Sequence, residues 1–118
     1  GKPSAMVFNG DAVWVGYSDS GGQRFTVGNG TPSGDCCKGG PSPVLDMVFD
    51  GENIWASNNI GNNVTKYRIS NGQSQTFPGN PGEIAYGILY ALGNVWVANI
   101  GPPGSRNDVV TRHWVGPP

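Results

Sequence analysis

The chain has 118 residues, a net charge of −1 and only 13% charged residues. Its seven basic residues (Lys2, Arg24, Lys38, Lys66, Arg68, Arg106 and Arg112) form no run, so no basic patch points to nucleic acid. No segment reaches the about 18 consecutive apolar residues of a transmembrane helix. The 20 Gly and 10 Pro approach a disordered composition, but four Trp, four Tyr and four Phe lie among β-branched residues, which argues for strands punctuated by Gly and Pro.

The first apolar segment, Met6-Val7-Phe8, meets Asn9-Gly10 and resumes as Ala12-Val13-Trp14-Val15. The same phrase returns as Met47-Val48-Phe49-Asp50-Gly51-Glu52-Asn53-Ile54-Trp55-Ala56 and again as Ile88-Leu89-Tyr90-Ala91-Leu92-Gly93-Asn94-Val95-Trp96-Val97. Trp14, Trp55 and Trp96 stand 41 residues apart, and Phe8, Phe49 and Tyr90 keep that step. An ungapped period of this length marks a repeat architecture.

In the second copy an apolar strand over about 45–49 enters a tight turn at Asp50-Gly51, where Gly relieves a positive φ. A strand over 53–58 carries Trp55, a polar bend follows, and 64–69 alternates apolar and polar as a half-buried strand does. Asn71-Gly72 supplies the next turn and 74–77 reads as a fourth, outer strand. No stretch has a helical period. The expected fold class is all-β, with three four-stranded propeller-type blades over about 3–43, 44–84 and 85–118. The third, with 109–115 as its third strand, is incomplete.

Phe-Asp-Gly-Glu-Asn-Ile-Trp-Ala-Ser-Asn over 49–58, followed by Gly-Asn-Asn-Val-Thr-Lys-Tyr over 61–67, resembles the blades of NHL, YVTN and virginiamycin B lyase-like bacterial propellers. The resemblance covers the second and third copies and the first two strands of the first. It implies an architecture shared by lyases, hydrolases, lectins and adaptors, not one activity. In the lyase group it implies a metal-dependent site built from several histidines and a glutamate. Here His113 is the sole histidine, so no metal site, cofactor or catalytic residue is expected.

Three blades cannot close a ring that takes about four to eight, and open edges favour association. The leading expectation is therefore a non-enzymatic binding or scaffolding module, extracellular or at the cell surface. It self-associates through its open blade edges, completes a longer protein or stacks into an array. A lectin-like carbohydrate binder and a fragment of a propeller lyase or hydrolase are the alternatives. The polar bends after the second strand of each unit are the expected ligand surface for a glycan or protein, with Tyr17, Asp19, Asn58, Asn59, Asn99 and Arg106 as candidates.

Asp46, on the innermost strand, either faces a channel or bonds to neighbouring backbone. The three repeated tryptophans are expected in the core between blades, and Tyr17 and Trp114 at exposed positions. Adjacent Cys36 and Cys37 lack the spacing of a zinc knuckle or redox pair. A vicinal disulfide, a link to another chain, or a reduced buried pair all stay open. Asn29-Gly30-Thr31 and Asn63-Val64-Thr65 fit the glycosylation pattern.

Overall fold

The apolar runs of each unit are short and β-branched and end at residues that turn the chain, so each unit folds as an antiparallel meander. The computed structural model describes residues 2–36, 44–58, 63–79, 84–101 and 109–115. The first sheet holds β1 (Pro3–Phe8), β2 (Ala12–Tyr17), β3 (Ser20–Thr26) and β4 (Pro32–Cys36). The second holds β5 (Val44–Phe49), β6 (Asn53–Asn58), β7 (Asn63–Arg68) and β8 (Ser74–Pro78). The third holds β9 (Ile84–Ala91), β10 (Asn94–Ile100) and β11 (Val109–Trp114). Strand order follows chain order in every sheet, and no helix occurs among the described residues.

The 41-residue step extends into backbone detail. Each innermost strand carries a register shift at its start, placing Ser4, Leu45 and Tyr86 outside the regular pairing. Such a bulge adds a residue and increases local twist. The turn after that strand differs between units. Gly10 and Gly51 take positive φ values of 95° and 106°. Before them, Asn9 Oδ1 and Asp50 Oδ1 accept the backbone N–H groups two and three residues on. The third unit has Ala91 at that position and turns through Leu92 (φ 48°) and Gly93 (φ 81°). Two positive values in a two-residue loop suit the strand twist, at a cost of about 1 kcal/mol for Leu.

The sheets pack face to face in sequence. β1 and β2 lie against β5, and β5 and β6 against β9, so the innermost strands are neighbours and the outer strands fan away. Two apolar cores result. Trp14, Val44, Met47, Ile54 and Ala56 form the core between the first and second sheets. Trp55, Val64, Ala85, Ile88, Val95 and Val97 form the other. At the first junction the Val44 side chain packs directly on the Gly16 backbone: a Cβ on Gly16 would lie 2.5 Å from Val44 Cγ1. Polar ties cross both junctions. Ser4 Oγ donates to Val44 O at 2.6 Å, and Ser57 Oγ donates to Tyr86 O at 2.6 Å.

Candidate functional site

Tyr17, Asn58 and Asn99 occupy one repeat position at the end of each second strand, and their side chains latch the second strand to the third. Tyr17 Oη donates to Gln23 Oε1 at 2.7 Å. Asn58 Nδ2 donates to Thr65 Oγ1 at 2.9 Å and to Asn63 Oδ1 at 2.6 Å. Asn99 Nδ2 donates to Thr111 Oγ1 at 2.7 Å. Gln23, Thr65 and Thr111 are themselves equivalent, facing Val15, Ala56 and Val97 across the pairing. Asn58 and Asn99 are buried and Tyr17 is half-buried. Asp19 is exposed and accepts the backbone N–H of Lys2 at 2.9 Å.

Asn59, Arg106 and Cys37 lie outside the described residues. Cys36 ends β4, and its side chain is likewise outside them. Asn63 of the second glycosylation pattern is buried, whereas Asn29 is exposed. Asn63, Asn99 and Thr111 converge on a crevice between the second and third sheets. Its volume of about 30 Å³ holds one or two waters rather than a sugar.

The remaining candidates have structural partners. Asp46 accepts its neighbour's N–H (Met47, 2.9 Å) through Oδ1 and that of Ile88 (3.0 Å) through Oδ2, stitching the second sheet to the third. His113 packs with its ring centre 5.7 Å from Trp55 and 5.0 Å from Phe77. Burial holds its pKa below the ordinary 6.5. Asp50 receives Trp55 Nε1 at 2.7 Å and Asn53 Nδ2 at 2.9 Å on Oδ2. Burial pushes its carboxyl upward, but these bonds and those from the Glu52 and Asn53 backbone outweigh it and hold the pKa below 3.8. No three His, Cys, Asp or Glu side chains gather as a metal group among the described residues.

The outward faces of the end sheets differ from all of this. Trp14 and Trp55 are each 1% exposed, as core residues should be, but Trp96 is 37% exposed. The expectation of a core position thus fails for the third tryptophan, because among the described residues no sheet lies against its face. Around it on the same side of the third sheet are Leu89, Ile100, Val110 and Trp114, all exposed. Trp96, Leu89, Val110 and Gly87 line a shallow apolar groove of about 360 Å³. A cation lies over each repeated indole: Arg24 over Trp14 at 5.5 Å, Lys66 over Trp55 at 5.7 Å and Arg112 over Trp96 at 5.8 Å. At the opposite end, the outward face of the first sheet exposes Met6 and Phe8. The sequence reading expects Trp114 at an exposed position, as it is, and open edges that associate, but it names neither cluster as a site.

No family model and no curated protein matches the chain. Its structure is similar to that of the computationally designed Ika8 protein, with 16% identity, a TM-score of 0.61, and coverage of 91% of this chain and 36% of that one. It is also similar to the computationally designed Ika4 protein, with 14% identity, a TM-score of 0.57, and coverage of 97% and 91%. The chain thus spans about a third of the Ika8 structure and most of Ika4. At these identities the likeness is one of fold alone.

Proposed function

We propose that the three sheets are propeller-type blades and that the chain is a non-enzymatic scaffolding module acting by self-association. The observation that carries this is the exposure of Trp96, 37% against 1% for its two equivalents. A large ring that is core in two repeats stands open in the third, within a contiguous apolar patch. Patches of this kind mark interaction surfaces on soluble domains. The blade reading is supported by the meander order of each sheet and the fan of inner strands. The likeness of 49–58 and 61–67 to NHL- and YVTN-type blades also supports it. The non-enzymatic reading draws on the sole histidine, which is a packing residue between two aromatic rings.

Sedimentation of the purified chain over a wide concentration range tests the reading. A mass above that of one chain, falling on dilution, is the expected result. A single-chain mass at every concentration overturns it.

A further inference from the structure

The chain makes the same sheet-on-sheet contact twice, with residues 41 apart playing the same parts. One side of each junction is an indole face: Val7 with Trp14 in the first, Val48 with Trp55 in the second. The other side is a receiving face. It is Met47, Phe49 and Ile54 at the first junction, and Ile88, Tyr90 and Val95 at the second. A ring on the third strand of the receiving sheet meets the indole each time. Trp14 packs on Tyr67 with centroids 5.6 Å apart, and Trp55 on His113 at 5.7 Å. Tyr67 and His113 share one register position, opposite Ile54 and Val95.

Both halves of a third junction are present on this molecule and uncovered. The third sheet supplies the indole face, with Leu89 61% exposed beside Trp96. The first sheet supplies the receiving face, with Met6 72% and Phe8 58% exposed and Val13 half-buried. The ring equivalent to Tyr67 and His113 is Phe25, which lies opposite Val13 and is half-buried.

We infer that a second copy of this chain covers the third sheet, docking head to tail with its own first sheet and packing Phe25 and Met6 against Trp96. This rests on the self-association reading and specifies its geometry. A head-to-tail contact is heterologous and closes only if its rotation allows. Closed propellers hold about four to eight sheets, and in a ring of six, two copies of these three sheets would meet at two identical junctions. The third junction lacks the polar ties of the second. Where Ser57 and Asp46 bridge the second and third sheets, the third sheet has Ala98 and Gly87.

The test uses charge placed on one face at a time. Trp96→Asp or Leu89→Asp disables the indole face, and Met6→Asp or Phe8→Asp the receiving face. All four side chains are at least partly exposed, and circular dichroism of each dilute variant checks that it folds. Each variant alone is expected to be a monomer where the wild type pairs, its association weakened about 30-fold or more. Mixing an indole-face variant with a receiving-face variant is expected to restore a two-chain species through the one intact junction. If one class of variant pairs as the wild type does, the contact is homotypic and the head-to-tail inference falls while self-association stands. A mixture that associates no more strongly than either variant alone also overturns it. A wild type that is monomeric throughout removes the underlying reading instead.

Discussion

The second and third sheets carry nearly the same phrase of sequence and treat its tryptophan in opposite ways. Trp55 is sealed beneath the third sheet, stacked on Phe77 at 5.5 Å and bonded to Asp50. Trp96 stands at the same position with Ala91 in place of the aspartate and a groove in place of a neighbour. The comparison shows that a repeat specifies a side chain's direction, while its burial depends on whether another sheet follows. The first sheet lies between these cases. Trp14 is buried against the second sheet, but Asn9 stands where the second unit has Asp50, and Trp14 Nε1 has no acceptor among the described residues.

The largest contrast is expected from truncating the two tryptophans in dilute protein. Trp55→Ala opens a cavity in a packed junction and should cost about 3–5 kcal/mol. Trp96→Ala should cost about 1 kcal/mol or less. Urea unfolding of both variants checks this, and equal losses would break the comparison.

A smaller effect is expected at the turn position. Asp50→Ala removes the acceptor of Trp55 Nε1, Asn53 Nδ2 and two backbone N–H groups, and should cost about 2–3 kcal/mol. The converse change, Asn9→Asp, keeps the turn bonds and offers Trp14 Nε1 a second carboxylate oxygen. A gain of about 1 kcal/mol is expected. An Asn9→Asp variant no more stable than the wild type would show that the first unit's turn cannot adopt the second unit's geometry.

The smallest effect is the dependence on pH. Both His113 and Asp50 have folded pKa values below their ordinary ones, so between folded and unfolded values the unfolded chain binds more protons. Stability is therefore full above 6.5 and declines as pH falls from there toward the lower folded value of His113. It declines again below 3.8, as Asp50 is protonated. Thermal midpoints from pH 8 to 3 (chosen to span both windows) read this, and His113→Phe should flatten the upper step alone. An unchanged upper step in that variant would assign it to another group.

Much of the fold is legible in the letters because a period-2 pattern and its turn residues are local. The strands over 44–58 were expected to within a residue or two, as were the positive φ at Gly51 and a third strand near 109–115. The bulges at Ser4, Leu45 and Tyr86 were not, since an extra residue in an apolar strand leaves no compositional mark. The polar bends show the same limit. Tyr17, Asn58 and Asn99 look alike to a ligand search and to a latch search, and the difference is the direction of each amide or hydroxyl. Gln23, Thr65 and Thr111 sit opposite them through pairing across residues distant in sequence.

What the sequence determined by itself is the period of 41, the strand rhythm and the repetition of Trp, because these depend on local alternation. The cation over each Trp and the ring of each receiving face came from strand register in the fold. Only the tertiary structure decided which copies of those residues are core and which are surface. Burial requires a neighbour, and among the described residues none lies against the outward faces of the first and third sheets. Trp96 on one end and Met6, Phe8 and Phe25 on the other are the consequence, and their complementarity is visible only once the two internal junctions have been seen.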